Sequence, residues 1–93
     1  MSRETLLQSK AHIEAVQIEG VEEVVHIRAP KMGRLRAYMA DENGDELAVQ
    51  ECVCDEAGAP LLKAKDVAEL PSNIFRQLAA AVVTVSGYGS AKN

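Results

Sequence analysis

Aromatic residues are nearly missing from this sequence, which has two tyrosines, one phenylalanine and no tryptophan. A core without large rings must be filled by Leu, Val, Ile and Ala. Such a core is light, and association with a partner or with a second copy is one way to complete it. Cysteine is as scarce. Cys52 and Cys54 are too close for an ordinary disulfide and one residue short of the Cys-x-x-Cys spacing of redox sites and zinc knuckles, so they read as reduced structural thiols. No run approaches the roughly 18 to 20 apolar residues that cross a bilayer, and the opening MSRETLLQSK lacks the apolar stretch of a signal peptide. A cytoplasmic protein with no membrane partner is expected. Positive charge is also in deficit, with ten Lys and Arg against fourteen Asp and Glu and a net charge of -4. That balance disfavours a phosphate backbone, and hence nucleic acid, as the main partner.

What is present is the composition of a folded domain, 47% hydrophobic and 26% charged over 93 residues. The expectation is one small α+β domain over residues 1–88, a β-hairpin packed on three to four helices, with a flexible tail over 89–93. Ser2 is placed to cap a short helix carrying Leu6 and Leu7 and ending near Lys10 or Ala11, a loosely held lid. From Glu14 the period changes to two, and Val16 and Ile18, then Val25 and Ile27, alternate around Gly20-Val21-Glu22, which predicts the hairpin from about Glu14 to Arg28. Pro30 ends that pairing and starts a helix in which Met32, Leu35 and Met39, with Tyr38 beside them, form the apolar side. The cations Arg28, Lys31, Arg34 and Arg36 read as its solvated face. Asp41-Glu42-Asn43-Gly44 is a turn signal. Glu46–Cys54 fits both a helix and a strand period, and the helix is preferred. Asp55-Glu56-Ala57-Gly58-Ala59-Pro60 is a turn on either reading, Leu61 and Leu62 fold back to the core, and Lys63–Leu70 is a helical segment of an acidic turn or two, which Pro71-Ser72 breaks before capping the last helix.

The last helix, Asn73–Ser86, is the most hydrophobic. Its polar residues Arg76, Gln77 and Thr84 gather with Ala80 on one narrow stripe, and Ile74, Phe75, Leu78, Val82, Val83 and Val85 fill the rest of the wheel. An apolar arc that wide belongs either to a central core helix or to one with a face left for a partner. On the second reading Phe75, Leu78, Val82 and Val85 are the partner-binding residues, with the outer hairpin face second.

Other chemistry has little to stand on. A cysteine nucleophile would need Cys52 or Cys54 activated by His12 or His26 and a third orienting group. Two histidines with a Cys-x-Cys pair do not make a zinc spacing, and no cofactor motif is present. A helix-turn-helix reader would need several contacting side chains on a recognition helix that has one charge, Arg76. The chain therefore reads as non-catalytic.

The order of features resembles the tail assembly chaperones of long-tailed bacteriophages. The strand Val24–Arg28 is followed by Cys54-Asp55-Glu56-Ala57-Gly58-Ala59-Pro60-Leu61-Leu62, then Asp66-Val67-Ala68-Glu69-Leu70, then an apolar helix from Ile74 to Gly87. Arg28-Ala29-Pro30 stands where that family usually has Arg-Glu-Leu, and Leu62 where an aromatic is common. The resemblance implies a non-catalytic factor in the host cytoplasm that binds and solubilises the tape-measure protein and helps recruit tail-tube subunits. It also implies a second, frameshifted length: Ala91-Lys92-Asn93 can be encoded by GCA AAA AAC, which contains a slippery heptamer. The other reading is a small structural or regulatory subunit of a virion or another complex.

Overall fold

The computed structural model describes residues 2–87. The expected tail over 89–93, with Ala91-Lys92-Asn93, lies outside the described residues. The chain forms α1 (Arg3–Leu7), β1 (Ile13–Val16), β2 (Val25–Arg28), α2 (Met32–Ala40), α3 (Gly44–Cys52), β3 (Val53–Cys54), α4 (Ala64–Ala68) and α5 (Ser72–Ser86). The class is α+β, with one antiparallel sheet of order β1-β2-β3. Ile13 pairs with Arg28 and Val16 with Val25 across β1 and β2, and Ile27 pairs with Val53 across β2 and β3.

Two elements carry the core. Ile27 of the central strand is fully buried, as are Val49 and Cys52 on one side of α3. Leu35 and Tyr38 of α2, Val67 of α4 and Leu78 and Val82 of α5 close around them. Val49 and Cys52 lie three residues apart on one helix face. The helix then ends without a loop: Val53 turns extended at φ -71°, ψ 121° and its N–H still donates to Val49 O. Glu46–Cys54 is thus helix as far as Cys52 and strand afterwards, which is why both periods fitted it.

The six-residue turn after β3 shows what its residue types do. Asp55 Oδ1 accepts from the N–H groups of Ala57 and Ala59, each at 2.9 Å. Asp55 O accepts from Gly58 N at 3.0 Å, and Leu61 N donates back to Val53 O at 3.1 Å. Gly58 stands at φ +94°, where a side chain is strained. An aspartate that satisfies its own turn, followed by a glycine and a proline, folds the chain back beside β3.

Four expectations need correction. The hairpin strands β1 and β2 are four residues each, and Gln17–Val24 forms a long loop; Ile18 lies in that loop, yet it is buried. Its burial follows from the loop's attachment to α5 and not from strand pairing. Met32 and Met39 are exposed, and the buried side of α2 is Leu35 with Tyr38, because α3 lies against that side. Leu61 is exposed and only Leu62 packs on the core. Ser72 is the first residue of α5 and caps nothing with its side chain; Pro71 holds the N-cap position, its fixed φ suiting the approach to the first turn.

Candidate binding surface

Helix α5 runs fifteen residues without glycine or proline and stops at Gly87, whose φ of +83° is the left-handed C-cap. Of the four residues expected to face a partner, Leu78 and Val82 are 4% and 2% exposed. They sit one turn apart, pointing into the core shared with α3 and β2. Neither can be reached by a partner unless the core opens. Phe75 and Val85 are half-buried and pack against that core. The most open large apolar residue of α5 is Val83, 45% exposed, beside a shallow hollow shared with Asp45, Arg76 and Ala80. The wide arc is therefore used mostly by the core.

A second apolar surface lies at the opposite end of the sequence. Ser2 Oγ accepts from Thr5 N at 3.2 Å and starts α1, but α1 buries none of its residues. Leu6 and Leu7 are 62% and 67% exposed, and Met32 is 56% exposed. These three, with Ala29, Pro30 and Lys31, line an open groove of about 450 Å³. The groove shares Ala11, Ala29, Pro30 and Lys31 with a smaller hollow of about 140 Å³, closed by Arg28, Arg34, Tyr38 and Glu51. Sequence patterning pointed to Leu6 and Leu7 only as a lid. The signal for a surface was the pair of leucines on a helix too short to bury them.

The polar end of the groove is tightly organised. Arg34 donates from Nε to Glu51 Oε1 at 3.0 Å and from Nη2 to Oε2 at 2.6 Å, a two-pronged pair. Tyr38 donates its hydroxyl to Glu51 Oε1, and Arg28 Nη2 donates to Glu51 O at 2.9 Å. The Arg34 guanidinium also lies 5.5 Å from the centre of the Tyr38 ring. The hydrogen bonds from Arg34 hold the Glu51 carboxyl below its ordinary value, although partial burial opposes this. Burial, with the bond to Glu51, pushes the Tyr38 phenol up, and the Arg34 guanidinium is raised in turn by Glu51. At neutral pH Glu51 is an anion, Tyr38 is neutral and Arg34 is charged. Arg28 is half-buried, and its Nε is buried with no acceptor. The cations of this stretch are thus only partly the solvated face expected of them.

The thiols are placed for packing. Cys52 and Cys54 are both buried, and burial pushes each thiol up, away from the thiolate that a nucleophile requires. Cys54 Sγ faces the backbone carbonyl of His26 at 3.6 Å, while His12 on the surface pairs with Glu14 at 3.1 Å. Among the described residues no group of three or more His, Cys, Asp or Glu is arranged to hold a metal ion, and no helix is long and apolar enough to cross a membrane. Comparison of the chain with protein-family models, with curated proteins and with solved structures gives no match in any of the three.

Proposed function

We propose that this protein is a non-catalytic assembly factor of the tail assembly chaperone type, which keeps the apolar helices of a tape-measure protein in solution and helps recruit tail-tube subunits. The observation that carries this reading is the apolar groove beside α1, where two leucines and a methionine are held open to water. Contiguous exposed apolar surface on a small domain marks an interaction site, and an unbranched methionine adapts to varied partners. The order of features supports the same reading: a short helix, a hairpin packed on helices, the aspartate-glycine-proline turn, a short helix carrying Asp66 and Val67, and a long apolar helix closed by glycine.

The test is co-expression of a phage tape-measure protein with and without this chain. Soluble tape-measure protein that appears only with the chain, and that co-purifies with it, is the expected result. If the wild-type chain neither binds nor solubilises it, the chaperone reading fails. Stoichiometric chain in finished particles would then assign it to a structural subunit.

A further inference from the structure

We infer that the groove between α1 and Ala29–Met32, together with the cationic hollow at its end, is the docking site for one amphipathic helix of a client protein, with carboxylates flanking the helix's apolar stripe. This rests on the assembly-factor reading, since the helix belongs to the protein being assembled. Three observations select that occupant. The walls are apolar and open: Leu6 and Leu7 project from a helix that buries nothing, and Met32 stands across from them. The charge of the hollow is net positive. Arg28, Lys31 and Arg34 meet a single carboxylate, Glu51, already held by Arg34 and Tyr38, on a chain whose net charge is -4. An acidic partner is drawn to this end of the molecule and repelled elsewhere. Finally, the walls offer side chains and not a strand edge. Of the lining residues, Leu6 N donates to Ser2 O, Ser9 N to Leu6 O and Ala29 N to His12 O, and Pro30 has no N–H, so recognition here follows the helix-in-groove mode and not strand addition.

The probe is a fluorescent peptide of about 18 residues, long enough for measurable helix, with leucines at helical spacing and glutamates beside them. Its twin carries lysine at each glutamate. At low salt the glutamate peptide should bind at least about tenfold tighter than the twin, and the gap should narrow as salt rises. Leu7→Ser and Lys31→Glu, both at exposed positions, should each weaken binding at least about fivefold while leaving thermal melting unchanged. Equal affinity for the twins, no binding, or indifference to both substitutions overturns the inference. A concentration-dependent dimer in sedimentation that Leu7→Ser abolishes also overturns it, because the occupant is then a second copy. The two readings separate cleanly. Peptide binding without solubilised tape-measure protein keeps the groove and removes the chaperone; solubilisation that survives both substitutions removes the groove and keeps the chaperone.

Discussion

Gln77 of α5 clasps the backbone of Glu19 with both ends of its amide: Glu19 N donates to Gln77 Oε1 at 2.8 Å, and Gln77 Nε2 donates to Glu19 O at 3.0 Å. The pair spans 58 positions of sequence and fixes the long loop between β1 and β2 onto the last helix. Ile18, next to the clasp, is buried in consequence.

Replacing Gln77 should therefore loosen the loop without emptying the core. Gln77→Ala removes both hydrogen bonds to Glu19 and a long one to Asn73 O at a partly exposed site and should cost about 1 kcal/mol, a fall in melting temperature of roughly 4 to 8 °C for a domain of this size. Gln77→Glu keeps an acceptor for Glu19 N but sets a carboxylate oxygen against Glu19 O, where the amide had donated, so it should be less stable than wild type as well. Hydrogen exchange of the Glu19 amide reads the same clasp locally, and should accelerate in Gln77→Ala more than that of Val49.

Two glycines on neighbouring helices should respond to one substitution with opposite signs. A Cβ on Gly44, at the start of α3, would fall 1.6 Å from Tyr38 O, whereas one on Gly33 in α2 would meet nothing within 4 Å. Gly44→Ala forces α2 and α3 apart at the seam that positions Tyr38 over Cys52, and should cost about 3 kcal/mol or more. Gly33→Ala sits in open space in a helix and should stabilise by up to about 1 kcal/mol. Urea denaturation of the two variants checks both signs.

The turns and the helix identities were legible because their causes are local. Pro30, Asp41–Asn43, Asp55–Pro60 and Gly87 each act through local backbone geometry or a bond within their own turn. Faces were less legible because they depend on neighbours. Met32 and Met39 have the right spacing with Leu35, yet α3 lies on the Leu35–Tyr38 side, and no property of the methionines tells of it. The same holds for α5, where an arc of six large apolar residues suggested a spare face and the sheet, loop and α3 use most of it. The cluster around Glu51 was not legible at all. Its members come from α2, α3 and β2, and only the fold brings Arg28, Arg34, Tyr38 and Glu51 together.

That cluster should leave a mark on the pH dependence of stability. The Glu51 carboxyl lies below its ordinary value of 4.5 because Arg34 and Tyr38 donate to it. The unfolded chain therefore takes up the proton before the folded one, and the stabilisation is complete above the unfolded value and lost as pH falls through the lower folded value. Wild-type stability measured by urea titration should fall steeply below about pH 4.5. Glu51→Gln should be less stable at pH 7 but should lose less on acidification, since it has no proton to accept there. Part of the acid slope should persist in both proteins, because Asp55 is also held low, chiefly by the Ala59 N–H. Parallel curves for the two proteins would show that Glu51 is not linked to folding.

Adjacent valines of α5 give the sharpest test of how that helix is oriented. Val82 is 2% exposed and Val83 45%, a difference produced by the 100° that separates successive residues on a helix. Val82→Asp places a carboxylate among Ile27, Val49 and Leu78 in the core with no partner, and should cost more than about 4 kcal/mol, enough to unfold a domain of modest stability. Val83→Asp exchanges one exposed side chain for another, and its cost should be limited to helix propensity and the unfavourable end of the helix dipole, about 1 kcal/mol. Circular dichroism at 25 °C should show a folded Val83→Asp and an unfolded Val82→Asp. The reverse pattern would rotate α5 by one residue and expose the side of the helix that carries Leu78, where the sequence first suggested a binding face.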